Sequence, residues 1–195
     1  AYLKASNTEA SDNFGSTVSI SGDTIVVGAY IESSNQTTIT NGTTSSSDNS
    51  ASQSGAAYVY KRTGSSWAQE AYLKASNAEA GDYFGYTVSI SGDTIVVGAY
   101  VESSNQTTIT NGTTSSSDNS KSDSGAAYVY KRTGSTWAQE AYLKASNTGA
   151  NDNFGDTVSI SGDTIVVGAI GEDSNQTTIT KDRKSTRLNS SHEWI

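Results

Sequence analysis

The sequence predicts an all-β protein assembled from tandem copies of one unit, and three observations carry that reading. AYLKASN opens at Ala1, Ala71 and Ala141, a period of 70 residues, and each copy runs on to SGDTIVVGA from Ser21, Ser91 and Ser161. The first two units differ at only eight of 70 positions, so both must build the same element. Apolar residues alternate with polar ones or form short β-branched runs, and no stretch has the 3.6-residue spacing or the caps of a helix.

Each unit divides into four strands. Thr17 to Ser21, TVSIS, places Val18 and Ile20 on one face and Thr17 and Ser19 on the other, the signature of a half-buried strand. Gly22 and Asp23 supply a turn, and Thr24 to Ala29, TIVVGA, is apolar enough to be covered on both faces. Together they read as a hairpin. A second hairpin follows: GAAYVYKR at Gly55 to Arg62, a turn at Thr63 to Ser65, and SWAQEAYLKA at Ser66 to Ala75. Ala57 and Val59 share a face, and strict alternation puts Trp67, Ala71 and Leu73 on one face with Glu70 and Lys74 on the other.

A four-stranded sheet of this size has two faces to cover and must stack on its neighbours. Radial stacking gives a β-propeller. The competing architecture is a β-solenoid, whose coils are shorter, about 20 to 30 residues per turn. The prediction is therefore an incomplete β-propeller of tandem four-stranded antiparallel blades, about two and a half of them, with long polar loop insertions. Residues 1–11 are expected to be the last strand of a preceding blade and a linker, 12–75 and 82–145 two blades, and 152–180 half a blade.

Between the hairpins lies the insertion Glu32 to Ser54, polar and low in complexity. Its Asn41-Gly42, flanked by Thr, predicts a protruding hairpin with a disordered Ser-rich return, repeated at Asn111-Gly112. Such a projection reads either as a recognition surface or as a solvated, tolerated loop. Asn35, Asn41, Asn105, Asn111 and Asn175 each begin an N-x-Thr sequon, a pattern that Thr-rich sequence produces readily by chance.

From Lys181 the repeat stops, and Asp182 to His192, DRKSTRLNSSH, resembles a translated sequencing adapter. Residues 181–195 therefore read as a non-native tail. That tail holds four of the twelve Lys and Arg, two of the twenty Asp and Glu, and the one His, which leaves 18 acidic against 8 basic residues before it. So acidic a surface excludes nucleic acid as a partner, because phosphate binding needs clustered Lys and Arg. Nor does any apolar run approach the length of a membrane span. There is no Cys and hence no disulfide or thiol chemistry. With no His outside the tail and no Ser in a nucleophile-elbow motif, no catalytic residue is expected. Glu32, Glu102 and Glu172 read as surface charges, and Asp12, Asp82 and Asp152 as turn residues accepting backbone N–H bonds.

Phe14-Gly15 with Gly28-Ala29, Phe84-Gly85 with Gly98-Ala99, and Phe154-Gly155 with Gly168-Ala169 form a recurring pair of dipeptides. In this the chain resembles the bacterial branch of the FG-GAP repeat family, the family of integrin α-subunit propellers, over essentially all of residues 1–180. The resemblance implies a propeller, a location outside the cell or at its surface, and a binding or adhesion role towards a protein or carbohydrate. A structural repeat in a long surface stalk and an accessory propeller of a secreted hydrolase are the alternatives. The family's Pro is replaced by Tyr30, Tyr100 and Ile170, and its acidic calcium loop is reduced to Ser21-Gly22-Asp23-Thr24. Neither calcium nor another cofactor is therefore expected, since a hard cation wants six to eight oxygens. The motif residues read as structural, with Phe14 packing between sheets and Gly15, Gly28 and Gly55 allowing close backbone approach. The units diverge beside these motifs, where Tyr30, Tyr83, Tyr86 and Tyr100 are the candidate binding rim.

Overall fold

The computed structural model describes residues 1–175, and among them there is no helix. Unit 1 contains β1 (Val18–Ser21), β2 (Thr24–Ala29), β3 (Thr40–Asn41), β4 (Ala56–Thr63) and β5 (Ser66–Leu73). Unit 2 repeats them as β6 (Thr87–Ser91), β7 (Thr94–Ala99), β8 (Thr110–Asn111), β9 (Ala126–Thr133) and β10 (Thr136–Leu143). Unit 3 supplies β11 (Phe154–Ser161) and β12 (Thr164–Ala169). All pairings are antiparallel, in sheets ordered β1-β2-β4-β5-β3, β6-β7-β9-β10-β8 and β11-β12. None of these sheets closes, and the described residues form an incomplete β-propeller of two blades and a half blade.

Successive sheets approach most closely along β1, β6 and β11, which fans the blades from one edge. There the serines of one blade accept from the backbone of the next: Ile90 N donates to Ser19 Oγ at 3.2 Å and Gly92 N to Ser21 Oγ at 3.0 Å. Ser89 and Ser91 receive Ile160 N and Gly162 N in the same way, at 3.2 and 3.1 Å. Between the first two blades lies the main core, with Val26, Val59 and Leu73 from one side and Phe84, Ile90, Tyr128 and Trp137 from the other. Burial of these apolar faces is what sheet stacking gains, at about 25 cal/mol per Å².

Two expectations about local structure are corrected. Strict alternation fails in the outer strand, because β5 pairs Gln69 with Tyr60 but Ala71 with Val59, so that Glu70 is an extra, bulged residue. The bulge reverses the facing of everything after it. Trp67 accordingly packs with Tyr58, Tyr60 and Tyr72 on one face, while Ala71 and Leu73 join Val59 on the other. The bulge also aims Glu70 at the next blade, where its Oε2 accepts from Trp137 Nε1 at 2.9 Å and from Arg132 Nη1 at 3.2 Å.

The insertion does not protrude as a hairpin. Thr40–Asn41 instead adds a fifth strand to the outer edge, pairing Thr40 with Tyr72 and Asn41 with Ala71, and Gly42 N donates to Glu70 O at 2.7 Å. The unpaired edge of β5 is a better partner for this segment than its own continuation, since it satisfies backbone groups left open there. Asn41 then bridges blades, with Trp137 N donating to its Oδ1 at 2.7 Å and its Nδ2 donating to Trp137 O at 3.2 Å. The Ser-rich return is ordered by Asp48, whose Oδ1 accepts from Asn35 N, Ser50 N and Ser50 Oγ at 3.1, 3.0 and 2.8 Å. Ala51 N closes the loop onto Ser33 O at 2.9 Å.

Residues 1–5 form no strand among themselves or with a neighbour. They dock on the blade that follows, Tyr60 donating to Lys4 O at 2.7 Å as Tyr130 donates to Lys74 O at 2.8 Å. The tail at 181–195 lies outside the described residues.

Candidate functional site

The two dipeptide motifs meet across blade boundaries. Gly85 N donates to Gly98 O at 3.0 Å within its own unit, as Gly15 N does to Gly28 O at 3.0 Å. Across the boundary, a Cβ on Gly28 would stand 2.1 Å from Gly85 O, and one on Gly98 would stand 2.0 Å from Gly155 O. Gly55 is equally tight, with Phe84 O at 1.9 Å from such an atom. No side chain fits at these positions, so the glycines let the backbones of neighbouring blades touch. The contact is sealed by hydrogen bonds from the linker, Gly81 N to Ser52 O, Tyr83 N to Gln53 O and Phe84 N to Ser54 O, at 2.9, 3.1 and 3.1 Å. Ala29 and Ala99 are buried beside them, and Ala169 and Gly168 occupy the same place on the half blade. Phe84 is fully buried between blades, its ring edge-on to Tyr128 at 5.3 Å and Tyr130 at 6.0 Å. Phe14 makes the same contacts with Tyr58 and Tyr60, and Phe154 packs against the core between the second blade and the half blade.

On the rim directly above the first of these boundaries, Tyr30, Tyr83, Tyr86 and Tyr100 come together, each half-buried. Tyr30 lies edge-on to Tyr83 at 5.7 Å and to Tyr86 at 5.4 Å, Tyr83 stacks on Tyr100 at 5.7 Å, and Tyr86 tilts against Tyr100 at 4.3 Å. Two turns set this up. Tyr86 N donates to Tyr83 O at 3.1 Å, folding those two residues over the Phe84-Gly85 backbone, and Glu32 N donates to Ala29 O at 3.1 Å, which places Tyr30 on the outside of its turn. Asn13 Nδ2 donates to the Tyr30 hydroxyl at 2.9 Å, and the Tyr83 hydroxyl donates to Gln53 Oε1 at 3.1 Å. Burial against the other rings pushes the Tyr100 phenol up from its ordinary value. The result is a continuous phenolic surface with amide groups at its margin.

Tyr83 holds a left-handed backbone, φ 56°, where the equivalent residues of the other units are Asn13 at 55° and Asn153 at 55°. Asn tolerates that region, but a residue such as Tyr is disfavoured there by about 1–2 kcal/mol. Gln53 and Asn13, which buttress the hydroxyls, were not singled out in the sequence; the recurrence of Asn at the turn was the signal for Asn13.

Glu32 and Glu102 are not surface charges. Lys74 Nζ donates to Glu32 Oε2 at 3.0 Å, to Ser54 Oγ at 2.8 Å and to Gly55 O at 2.6 Å, with Lys and Glu side chains 0% and 1% exposed. Glu32 further accepts from Asn7 Nδ2 at 3.1 Å and Ser34 N at 3.1 Å. Lys144 and Glu102 repeat the arrangement at 2.9 Å, where the Tyr142 hydroxyl also donates to Glu102 at 2.9 Å. Burial pulls both lysines below their ordinary pKa, opposed by the paired carboxylate. A charge can be enclosed only when so paired and bonded, and here each does both. Glu172 is exposed and accepts from Asn147 Nδ2 at 2.8 Å. A lysine recurring between Leu and Ala in AYLKA, and a glutamate following VVGA, were the available signals.

Lys74 and Ser54 have the atoms of a Ser–Lys pair, yet both are sealed in the interior, where no substrate reaches them. Asp12, Asp82 and Asp152 each accept the backbone N–H three residues earlier, from Glu9, Glu79 and Gly149, at 3.3, 2.9 and 2.6 Å. Burial raises Asp12 and takes Asp82 up to about 7. No group of three or more His, Cys, Asp or Glu that could hold a metal ion occurs among the described residues. Likewise, no helix there is long and apolar enough to cross a membrane.

A search of the curated proteins finds no match to the chain. A scan of protein-family models does: the FG-GAP repeat model matches three times, over residues 1–60, 67–130 and 137–179. Each match after the first begins in the outer strand of one blade and runs across the boundary into the next, so the sequence repeat straddles the boundary that its glycines close. With most of its length matched in three phased segments and its motif residues meeting between blades, the chain belongs to the FG-GAP repeat family.

Proposed function

We propose that this chain is a non-catalytic recognition scaffold acting outside the cell or at its surface, and that Tyr30, Tyr83, Tyr86 and Tyr100 grip its ligand, a protein or a carbohydrate. The observation that carries the reading is Tyr83, an aromatic side chain kept in a backbone conformation that the other units fill with Asn, and in contact with two other rings. Strain of this kind concentrates at ligand sites. Tyrosines supply large, rigid contact area with a polar tip, which suits both sugar rings and protein surfaces. Membership of a family whose propellers often serve binding or adhesion supports the role. The enclosure of both Ser–Lys contacts, Ser54 with Lys74 and Ser124 with Lys144, and the lack of Cys and of any His but His192, support a scaffold without catalysis, and nothing in the reading calls for calcium or another cofactor.

The test uses the residues of unit 1 as replacements. Tyr83→Asn with Tyr86→Ser gives the junction the turn that Asn13 and Ser16 already form. Wild type and variant are compared on an immobilised panel of oligosaccharides and extracellular-matrix proteins. Loss of about thirtyfold in affinity is expected, the equivalent of about 2 kcal/mol for a central aromatic anchor. Undiminished binding of the variant to whatever the wild type captures would sink the assignment.

A further inference from the structure

The two rim tyrosines of unit 2 that lie closest together hold a geometry that ligand binding alone does not require. Gly85 N donates to Gly98 O at 3.0 Å, and this backbone bond sets the turn before β6 beside the turn after β7. Tyr86 and Tyr100 stand on those turns with ring centroids 4.3 Å apart and planes at 44°. The equivalent positions carry Ser16 and Tyr30 in unit 1, and Asp156 and Ile170 in unit 3, so only unit 2 brings two phenols together there. Both residues are half-buried and so meet solvent. Asn13 and Gln53 engage the hydroxyls of Tyr30 and Tyr83, whereas those of Tyr86 and Tyr100 have no hydrogen-bond partner among the described residues. The chain also has no Cys and no Met, the side chains on which an oxidant is otherwise spent. An oxidant that reaches this surface therefore meets phenols and no sulfur.

We propose that Tyr86 and Tyr100 form an oxidative cross-linking site, coupled to dityrosine by a haem peroxidase and hydrogen peroxide acting from solvent. Each phenol gives up one electron and its hydroxyl proton, and the two phenoxyl radicals join through the ring carbons next to the C–O bonds. A carbon–carbon bond forms, and the hydrogens on those two carbons shift to the oxygens and restore both phenols. Hydrogen peroxide takes the two electrons and two protons and leaves as two water molecules. The bond clamps the two ends of the β6–β7 hairpin, closing a covalent loop over residues 86–100 in a chain that cannot form a disulfide. It depends on how the rings pack and not on the ligand assigned to the rim, so either can fail without the other.

The whole chain is treated, folded and dilute, with a haem peroxidase and hydrogen peroxide, and the single-chain band is taken from a denaturing gel. That band should carry the blue fluorescence of dityrosine. Trypsin leaves Tyr83, Tyr86 and Tyr100 on one peptide, 75–121, because no Lys or Arg lies between Lys74 and Lys121. The peptide should be lighter by two hydrogen atoms and should give backbone fragments before Tyr86 and after Tyr100 but none between them. Tyr86→Phe and Tyr100→Phe keep the ring and remove one phenol, and either should lose most of the fluorescence. Circular dichroism verifies the sheet of each, and because the two variants reach the same bond from opposite sides, a fold lost in one leaves the other to decide. A wild-type band without dityrosine overturns the proposal, and so does fluorescence undiminished in a folded variant. A bond that instead joins peptide 75–121 to 5–61, the one holding Tyr30, overturns it as well.

Discussion

Replacing Lys74 by Met tests whether the buried ion pairs are fixed structural joints. The substitution keeps a long side chain but deletes an ammonium that donates three hydrogen bonds, to Glu32, Ser54 and Gly55. Glu32 would be left in the interior with only Asn7 and Ser34 to bond it. Removing one partner of a buried pair costs about 3–5 kcal/mol, because the remaining charge is uncompensated. That is a large share of the roughly 5–15 kcal/mol that holds a domain together. Gly55 lies in the backbone contact with Phe84, so the loss should loosen the blade boundary as well as the blade. Urea unfolding followed by tryptophan fluorescence would measure the change. The companion Lys74→Met/Glu32→Gln removes the stranded charge, and should recover more than half of the loss. A single variant within about 1 kcal/mol of the wild type, or a double variant no better than the single, would refute the reasoning.

Three further outcomes follow from pairs of equivalent residues and from one shifted acid. Asn41→Ala should destabilise by about 1–2 kcal/mol, since Asn41 bonds both backbone groups of Trp137, whereas Asn111→Ala should change little because Asn111 makes no such contact among the described residues; thermal melts of the two decide. Gly98→Ala should cost about 1–3 kcal/mol by forcing a Cβ into Gly155 O, and Gly168→Ala clearly less, because only the Thr157 side chain stands in its way; denaturant midpoints decide. Burial holds Asp82 protonated up to about 7, so between 3.8 and that value the folded chain binds a proton that the unfolded chain has released. Stability contributed by this site therefore falls as pH rises through that window, and Asp82→Asn should flatten the slope and gain about 4 kcal/mol above it, by melts across the range.

The repeat, its strands and the stacking of sheets were legible because they depend on local alternation, turn residues and period, all of which the sequence states directly. What escaped depends on contacts between units. Glu70 could not be recognised as a bulge, since nothing in SWAQEAYLKA breaks the alternation; Glu140 bulges in the same way in β10, and only at Glu70 do an Arg and a Trp of the next blade meet the extra residue among the described residues. Asn41-Gly42 is a hairpin signal in isolation and loses to the open edge of β5, which only the assembled blade presents. Lys74 and Glu32 are 42 residues apart, and charge alone gives no reason to bury either. The tyrosines were visible as divergent residues, but their convergence needs the Tyr83 turn to stand over the Tyr30 turn of the preceding blade.

Near-identity of the units makes the rim informative. Blade boundaries are closed by backbone, glycine and buried pairs at positions the copies share, so they leave the residues above the boundary free to differ without disturbing the stack. At that level unit 1 has Asn13 and Ser16, unit 3 has Asn153 and Asp156, and only unit 2 has Tyr83 and Tyr86. Tyr30 and Tyr100 flank that pair from the two adjacent blades' turns, whereas Ile170 stands in their place on the half blade. A purely structural role would favour Asn at 83, because it fits the left-handed turn at lower cost. Among the described residues the aromatic surface therefore stands at one of the two boundaries and costs that boundary stability, which is what the proposed binding role for it predicts.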